Sequence, residues 1–154
     1  MNRILFSIFL ICLTFGLQAK EVPPRPQPAR LVNDEVGLLS RSEIQNLERK
    51  LVQYNEATST QIAVVIERSL EGDDVVDYAI RLAQAWGIGQ ADKDNGVLIY
   101  VSVQDRKMGI ATGYGTEGFL TDAISNRIRN EVLRPAFQQQ QYYQGLDRAS
   151  SKII

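Results

Sequence analysis

A three-layer α/β/α sandwich around a small mixed β-sheet is the α/β fold that this sequence predicts. Gln61-Ile-Ala-Val-Val-Ile66 is a short apolar run, rich in β-branched residues, of the kind that fills a central strand buried on both faces. Val97–Val103 and Met108–Thr112 are two further strand patterns, joined only by Gln104-Asp-Arg-Lys107, a connection too short for anything but an antiparallel hairpin. Amphipathic helical patterns surround all three. A strand buried on both faces needs such cover above and below.

The chain opens with Arg3 and an apolar run, Ile4 to Leu17, followed by Gln18-Ala19 and the polar Lys20-Glu21. This is the layout of a secretory signal peptide, and the run falls short of the roughly 20 residues of a spanning helix, so cleavage after Ala19 is expected. Cys12 follows Ile11, where a lipoprotein signal would place a small residue, so acylation there is not expected. Without residues 1–19 the chain has no cysteine, which excludes disulfides and thiol chemistry, and it has no histidine anywhere. His-based triads and His or Cys zinc sites are excluded with them. Whatever chemistry the domain supports must use oxygen ligands, carboxylates and backbone groups.

The whole chain carries a formal charge of −1. The mature part carries 16 basic and 18 acidic residues, a near balance that argues against a nucleic-acid partner. Residues 20–30 hold four of the five prolines and read as an extended linker, leaving residues 31–154 as one domain.

Within that domain Ser40-Arg-Ser-Glu43 has capping-box spacing and opens a helix with Ile44, Leu47, Leu51 and Tyr54 on one face. After the strand at Gln61–Ile66, a second helix is expected from Asp74 to Ala85, with Asp73 available as its cap. The hairpin follows, then a third helix over Asp122–Leu133 with Pro135 helping to end it. Gln138–Gln141 reads as a solvated connection, and a last helix begins near Tyr142 or Gly145 and is still running at Ile154.

Two loops could carry chemistry. Gln90-Ala-Asp-Lys-Asp-Asn-Gly96 sets Asp92, Asp94 and Asn95 close together before a strand, oxygen donors of the kind hard cations take. The same residues also suit an ordinary turn. An EF-hand is excluded: counted from Asp92, Val97 falls where that loop needs glycine and Val103 where it needs glutamate. Gly113-Tyr-Gly-Thr-Glu-Gly118 spells a dinucleotide fingerprint, but it follows a hairpin strand and lacks the distal acidic residue. Its glycines are read instead as a tight backbone that lets Glu117 and Asp122 approach another loop. Asp34, before the first helix, is a third acidic candidate.

Asn33-Asp-Glu-Val-Gly-Leu-Leu-Ser40, Thr60-Gln-Ile-Ala-Val-Val65, Trp86-Gly-Ile-Gly89, Lys93-Asp-Asn-Gly-Val-Leu98, Asp105-Arg-Lys107, Thr112-Gly-Tyr-Gly-Thr-Glu-Gly118 and Thr121-Asp-Ala123 occur in order between Leu31 and Ile154. In these residues the chain resembles the TPM domain family. The resemblance implies an exported or lumenal α/β/α domain with a divalent-cation site, Ca²⁺ or Mg²⁺, drawing on Asp34, Asp94, Asn95, Glu117 and Asp122. Plant lumenal relatives act in photosystem II repair and are credited with acid phosphatase activity. Bacterial members often continue into a membrane helix, so attachment to the membrane is open.

Two functions follow as expectations. A binding module would use the ion to tie the acidic loops into a surface for an envelope or membrane-protein partner, periplasmic or extracellular. A metal-dependent acid phosphatase would use Asp94 or Asp122 as base or nucleophile on a phosphorylated substrate, with Lys93 as the one obvious phosphate clamp.

Overall fold

The structure is a computed structural model and describes residues 19–154; the predicted signal segment lies outside the described residues apart from Ala19. Among the described residues no helix is long and apolar enough to cross a membrane.

Four strands form one sheet in the order β1 (Val32–Asp34), β2 (Gln61–Glu67), β3 (Gly96–Ser102), β4 (Lys107–Thr112). The first three are parallel and β4 returns antiparallel on β3, so the sheet is mixed as predicted. The strand β1 is an addition to the predicted set. At three residues it is too short to show a periodicity, and it is held from outside: Glu48 of α1 (Arg41–Thr58) accepts the Leu31 and Val32 N–H groups at 2.7–3.1 Å. The capping box at Ser40 and Glu43 is formed as the spacing predicts.

The alternation of β2 and β3 divides the core between the two faces. Ile62, Val64, Ile66, Val97, Ile99 and Val101 point toward α1 and the C-terminal helices, while Ala63, Val65, Leu98 and Tyr100 point toward α2 (Val75–Ala85). Thus α1 and α2 cover opposite faces although both crossovers advance the same way across the sheet. One of the two is therefore left-handed, against the strong right-handed preference of such units.

Two helix boundaries differ from the sequence reading. The cap of α2 is Asp74, which accepts from the Val76 and Asp77 N–H groups, because Asp73 is turned back to pair with Arg81. Pro135 does not end the third helix. A π-helical stretch at Arg129–Leu133 links α3 (Asp122–Ile128) to α4 (Arg134–Gln138), and Pro135 falls in the first turn of α4, where an N–H is not needed. The last helix, α5 (Tyr142–Ile153), is tied to α1 by the Lys50–Asp147 ion pair at 2.8 Å.

The proline-rich segment is more than a spacer at its start. Val22 packs against the α2-side core, and the Trp86 indole N–H donates to Pro23 O at 2.8 Å.

Candidate acidic cleft at the start of the parallel strands

Gly113 follows β4 and meets the loop that leads into β3, because an antiparallel partner ends where β3 begins. The contact between these two loops requires glycine. A Cβ on Gly113 would lie 2.1 Å from Asp94 O, and one on Gly115 would lie 1.9 Å from Lys93 O. In their place run the Gly115 N–H to Asp94 O bond at 2.9 Å and the Tyr114 N–H to Asp94 Oδ2 bond at 3.1 Å. Asp94 itself has φ 46°, a left-handed conformation that aspartate tolerates better than most residues. The reading of these glycines as a close-approach backbone thus has its geometric basis.

The result is a cleft of about 520 Å³ whose walls include Asp94, Glu117 and Asp122, with Gln84 and Gln90 beside them. Among the described residues no lysine or arginine lines it. The C-terminal end of α2 reaches the same cleft through Ala83 and Gln84, adding the negative end of a helix dipole. Asp122 is the first residue of α3, which Thr121 caps through the Ile124 N–H.

Two of the five residues implied as ligands are placed differently. Asp34 ends β1 opposite Ile66, whereas β3 begins opposite Gln61, so at about 3.3 Å per residue it stands ~16 Å along the strands from the Asp94 loop. Its carboxylate is spent locally, accepting the N–H groups of Val36, Gly37 and Leu39 at 2.7–3.1 Å. Asn95 is buried and fastens the loop from beneath: its Oδ1 accepts from the Gln90 N–H and its Nδ2 donates to Ser59 O, both at 2.8 Å. Its side chain is therefore a brace for the loop. Among the described residues no three Asp or Glu side chains are gathered closely enough to enclose a metal ion. A hard cation in the cleft would have to keep part of its water shell, since the carboxylates there form no closed cage.

The basic residues lie elsewhere. Lys93 reaches Ser59 Oγ at 3.3 Å. Arg106, Lys107, Arg129 and Arg134 line a separate cleft of about 820 Å³ with Ser102, at the far end of β3.

Sequence reasoning missed a second polar centre, built where β2 ends. Glu67 is 2% exposed, accepts the Tyr78 and Tyr100 hydroxyls at 3.1 and 2.8 Å, and is paired with Lys20. Burial, followed by the charge on Glu67 for Tyr78 and the Glu67 hydrogen bond for Tyr100, pushes both hydroxyls well above the ordinary tyrosine range. A charged residue closing an apolar strand was the available signal. Nearby, Asp105 accepts from the Leu70 N–H and the Ser102 hydroxyl, each at 2.6 Å, and the Leu70 bond leads in holding its carboxyl below the usual range.

A small mixed α/β sandwich with loop-built clefts at the sheet ends is the class of protein that this fold and site define. Residues 32–154 match the TPM domain, and the chain belongs to that family. Over 129 residues it is 23% identical to the UPF0603 protein YdjH of Bacillus subtilis (strain 168), taking in 84% of this chain. The match covers 48% of YdjH, so the chain spans about half the length of that relative. It is similar in structure to the N-terminal domain of a protein from P. gingivalis, solved by solution NMR, with a TM-score of 0.74 and 31% identity over 80% of this chain and 79% of that one. It is also similar to the BA42 protein of Bizionia argentinensis, at a TM-score of 0.66 and 27% identity over 78% and 81% of the two chains.

Proposed function

We propose that this TPM domain is an exported, divalent-cation-binding interaction module of the cell envelope. The observation that carries the reading is the grouping of Asp94, Glu117 and Asp122 around one cleft with no lysine or arginine among its described walls. A Ca²⁺ or Mg²⁺ bound between these carboxylates would stabilise the folded state by mass action. Asp94, Glu117 and Asp122 would hold the ion, and the ion would supply charge neutralisation and rigidity to the two loops.

Tyr114 and Phe119 favour a partner. They lie on the same loop as Glu117 and are 82% and 43% exposed, and aromatic side chains are enriched at protein interfaces. An envelope or membrane-protein partner could take them as anchors on the surface that the ion stiffens.

A metal-dependent acid phosphatase is the second reading, favoured by the word phosphatase in the family designation. Beside the ion it needs a basic side chain to hold the phosphoryl group against the carboxylates, and among the described residues no lysine or arginine lines the cleft. The deciding experiment measures melting temperature and phosphomonoester turnover on the same metal-loaded protein. A rise in melting temperature that Asp94→Asn diminishes, with no turnover at acidic or neutral pH, supports the module. Turnover that chelation and Asp122→Asn each abolish, with the domain still folded, supports the enzyme.

A further inference from the structure

Lys20 is engaged through every polar group it has. Its backbone nitrogen lies 3.0 Å from Asp73 Oδ2, and its carbonyl accepts from Arg81 Nη1 at 3.0 Å. Its side-chain ammonium pairs with Glu67, donates to Ser69 O at 2.7 Å and stands 4.7 Å from the centre of the Tyr78 ring. Ala19, one residue earlier, is exposed. Beyond Lys20 the arm continues along α2: Val22 packs into the core, Pro23 O takes the Trp86 indole N–H, and Arg25 donates to Trp86 O at 2.7 Å.

Asp73 is the informative partner. It pairs with Arg81, accepts from the Asp74 N–H at 2.8 Å, and aims its Oδ2 at the Lys20 nitrogen. In an uncut chain that nitrogen offers one neutral N–H. In a chain that begins at Lys20 it is an ammonium, with three donors and a positive charge matched to the carboxylate. The sequence pattern independently places a scission at this same bond.

We propose that the mature chain begins at Lys20 and that the α-ammonium formed there is a structural group, seated on Asp73 to lock residues 20–25 across α2. Hydrolysis of the Ala19–Lys20 peptide bond by a signal peptidase consumes one water and leaves a carboxylate on Ala19 and the ammonium on Lys20. The seat also holds the Lys20 side chain on Glu67, a buried carboxylate whose other partners among the described residues are the two tyrosine hydroxyls. An unpaired buried charge strongly destabilises a fold. These contacts are already formed with Ala19 attached, so processing adds charge to a seat that the uncut chain has in place, and tightens it.

This inference rests on the export reading, and the test separates the two. The full-length precursor is produced in a bacterial host and the intact mass of the exported protein is measured; the expected terminus is Lys20. Residues 20–154 are then compared with the same chain retaining Ala19, each with Asp73 and with Asp73→Asn. Retaining Ala19 should lower the melting temperature by about 3 °C when Asp73 is present and by much less with Asp73→Asn. Equal losses in both backgrounds, or no loss in either, would overturn the role of the ammonium. An exported protein with a different terminus would overturn the assignment of Lys20 while leaving export standing. A membrane-retained, unprocessed chain would remove export itself.

Discussion

Gly115→Ala should open the acidic cleft, and Gly118→Ala, three residues away in the same glycine motif, should do almost nothing. The added Cβ at position 115 meets Lys93 O at 1.9 Å and Asp94 O at 3.0 Å, both backbone atoms that no rotamer change can clear. Restoring ordinary contact at about 3.4 Å requires the loops to part by about 1.5 Å. That displacement breaks the Gly115 N–H to Asp94 O and Tyr114 N–H to Asp94 Oδ2 bonds. Two hydrogen bonds at about 1 kcal/mol each, with about 1 kcal/mol of overpacking strain, give a loss of about 3 kcal/mol. For a domain of this size that is roughly a 10 °C fall in melting temperature. A Cβ at Gly118 meets nothing within 4 Å, so its variant should stay within about 2 °C of the parent. Thermal denaturation followed by circular dichroism, in the absence of divalent ions, reads both values. Equal melting temperatures for the two variants would refute the close approach of the loops, and with it the account of how Asp94 and Glu117 come to share a cleft.

Two further outcomes follow from the caps and the buried tyrosines. Asp74→Ala removes the acceptor of two N–H groups at the start of α2 and should cost about 1 kcal/mol by denaturant titration, and a variant as stable as the parent would contradict that capping geometry. Tyr78 and Tyr100 hold their protons in the folded state above the pH of about 10 at which an unfolded chain releases them, so their contribution to stability should be level below that pH and fall above it. Absorbance at 295 nm followed with circular dichroism should show these two hydroxyls ionising only as the helix signal is lost; ionisation of all six tyrosines with the fold intact would contradict their burial.

Legibility in the sequence tracked how local each determinant is. The capping box at Ser40 and Glu43, the buried strand at Gln61–Ile66 and the hairpin at Val97–Thr112 are set by neighbours within a few residues, and all three could be read directly. The strand β1 could not, since Val32–Asp34 is a strand only because β2 and Glu48 receive it. Asp73 and Asp74 are equivalent as caps in sequence, and only the distant Arg81 and Lys20 distinguish them. Pro135 carries a strong stop signal that the π-helical stretch before it accommodates. At the candidate site, the approach of the Asp94 and Glu117 loops was legible through the glycines. The remoteness of Asp34 was not, because it depends on strand order and direction across the sheet. The Lys20–Glu67 pair joins residues 47 apart and left no periodic trace.

On the proposed reading a divalent cation binds in the cleft of Asp94, Glu117 and Asp122, and Asp34 has no part in it. Titration of Ca²⁺ and Mg²⁺ into ¹⁵N-labelled residues 20–154 checks this by comparing the parent with Asp94→Asn, Asp122→Asn and Asp34→Asn. The amide resonances of Asn95, Gly96 and Gly115 should shift together in the parent, both cleft variants should bind more weakly, and Asp34→Asn should keep the parent affinity at some loss of stability. Loss of the response in Asp34→Asn alone, or the absence of any localised shift in the parent, would contradict it.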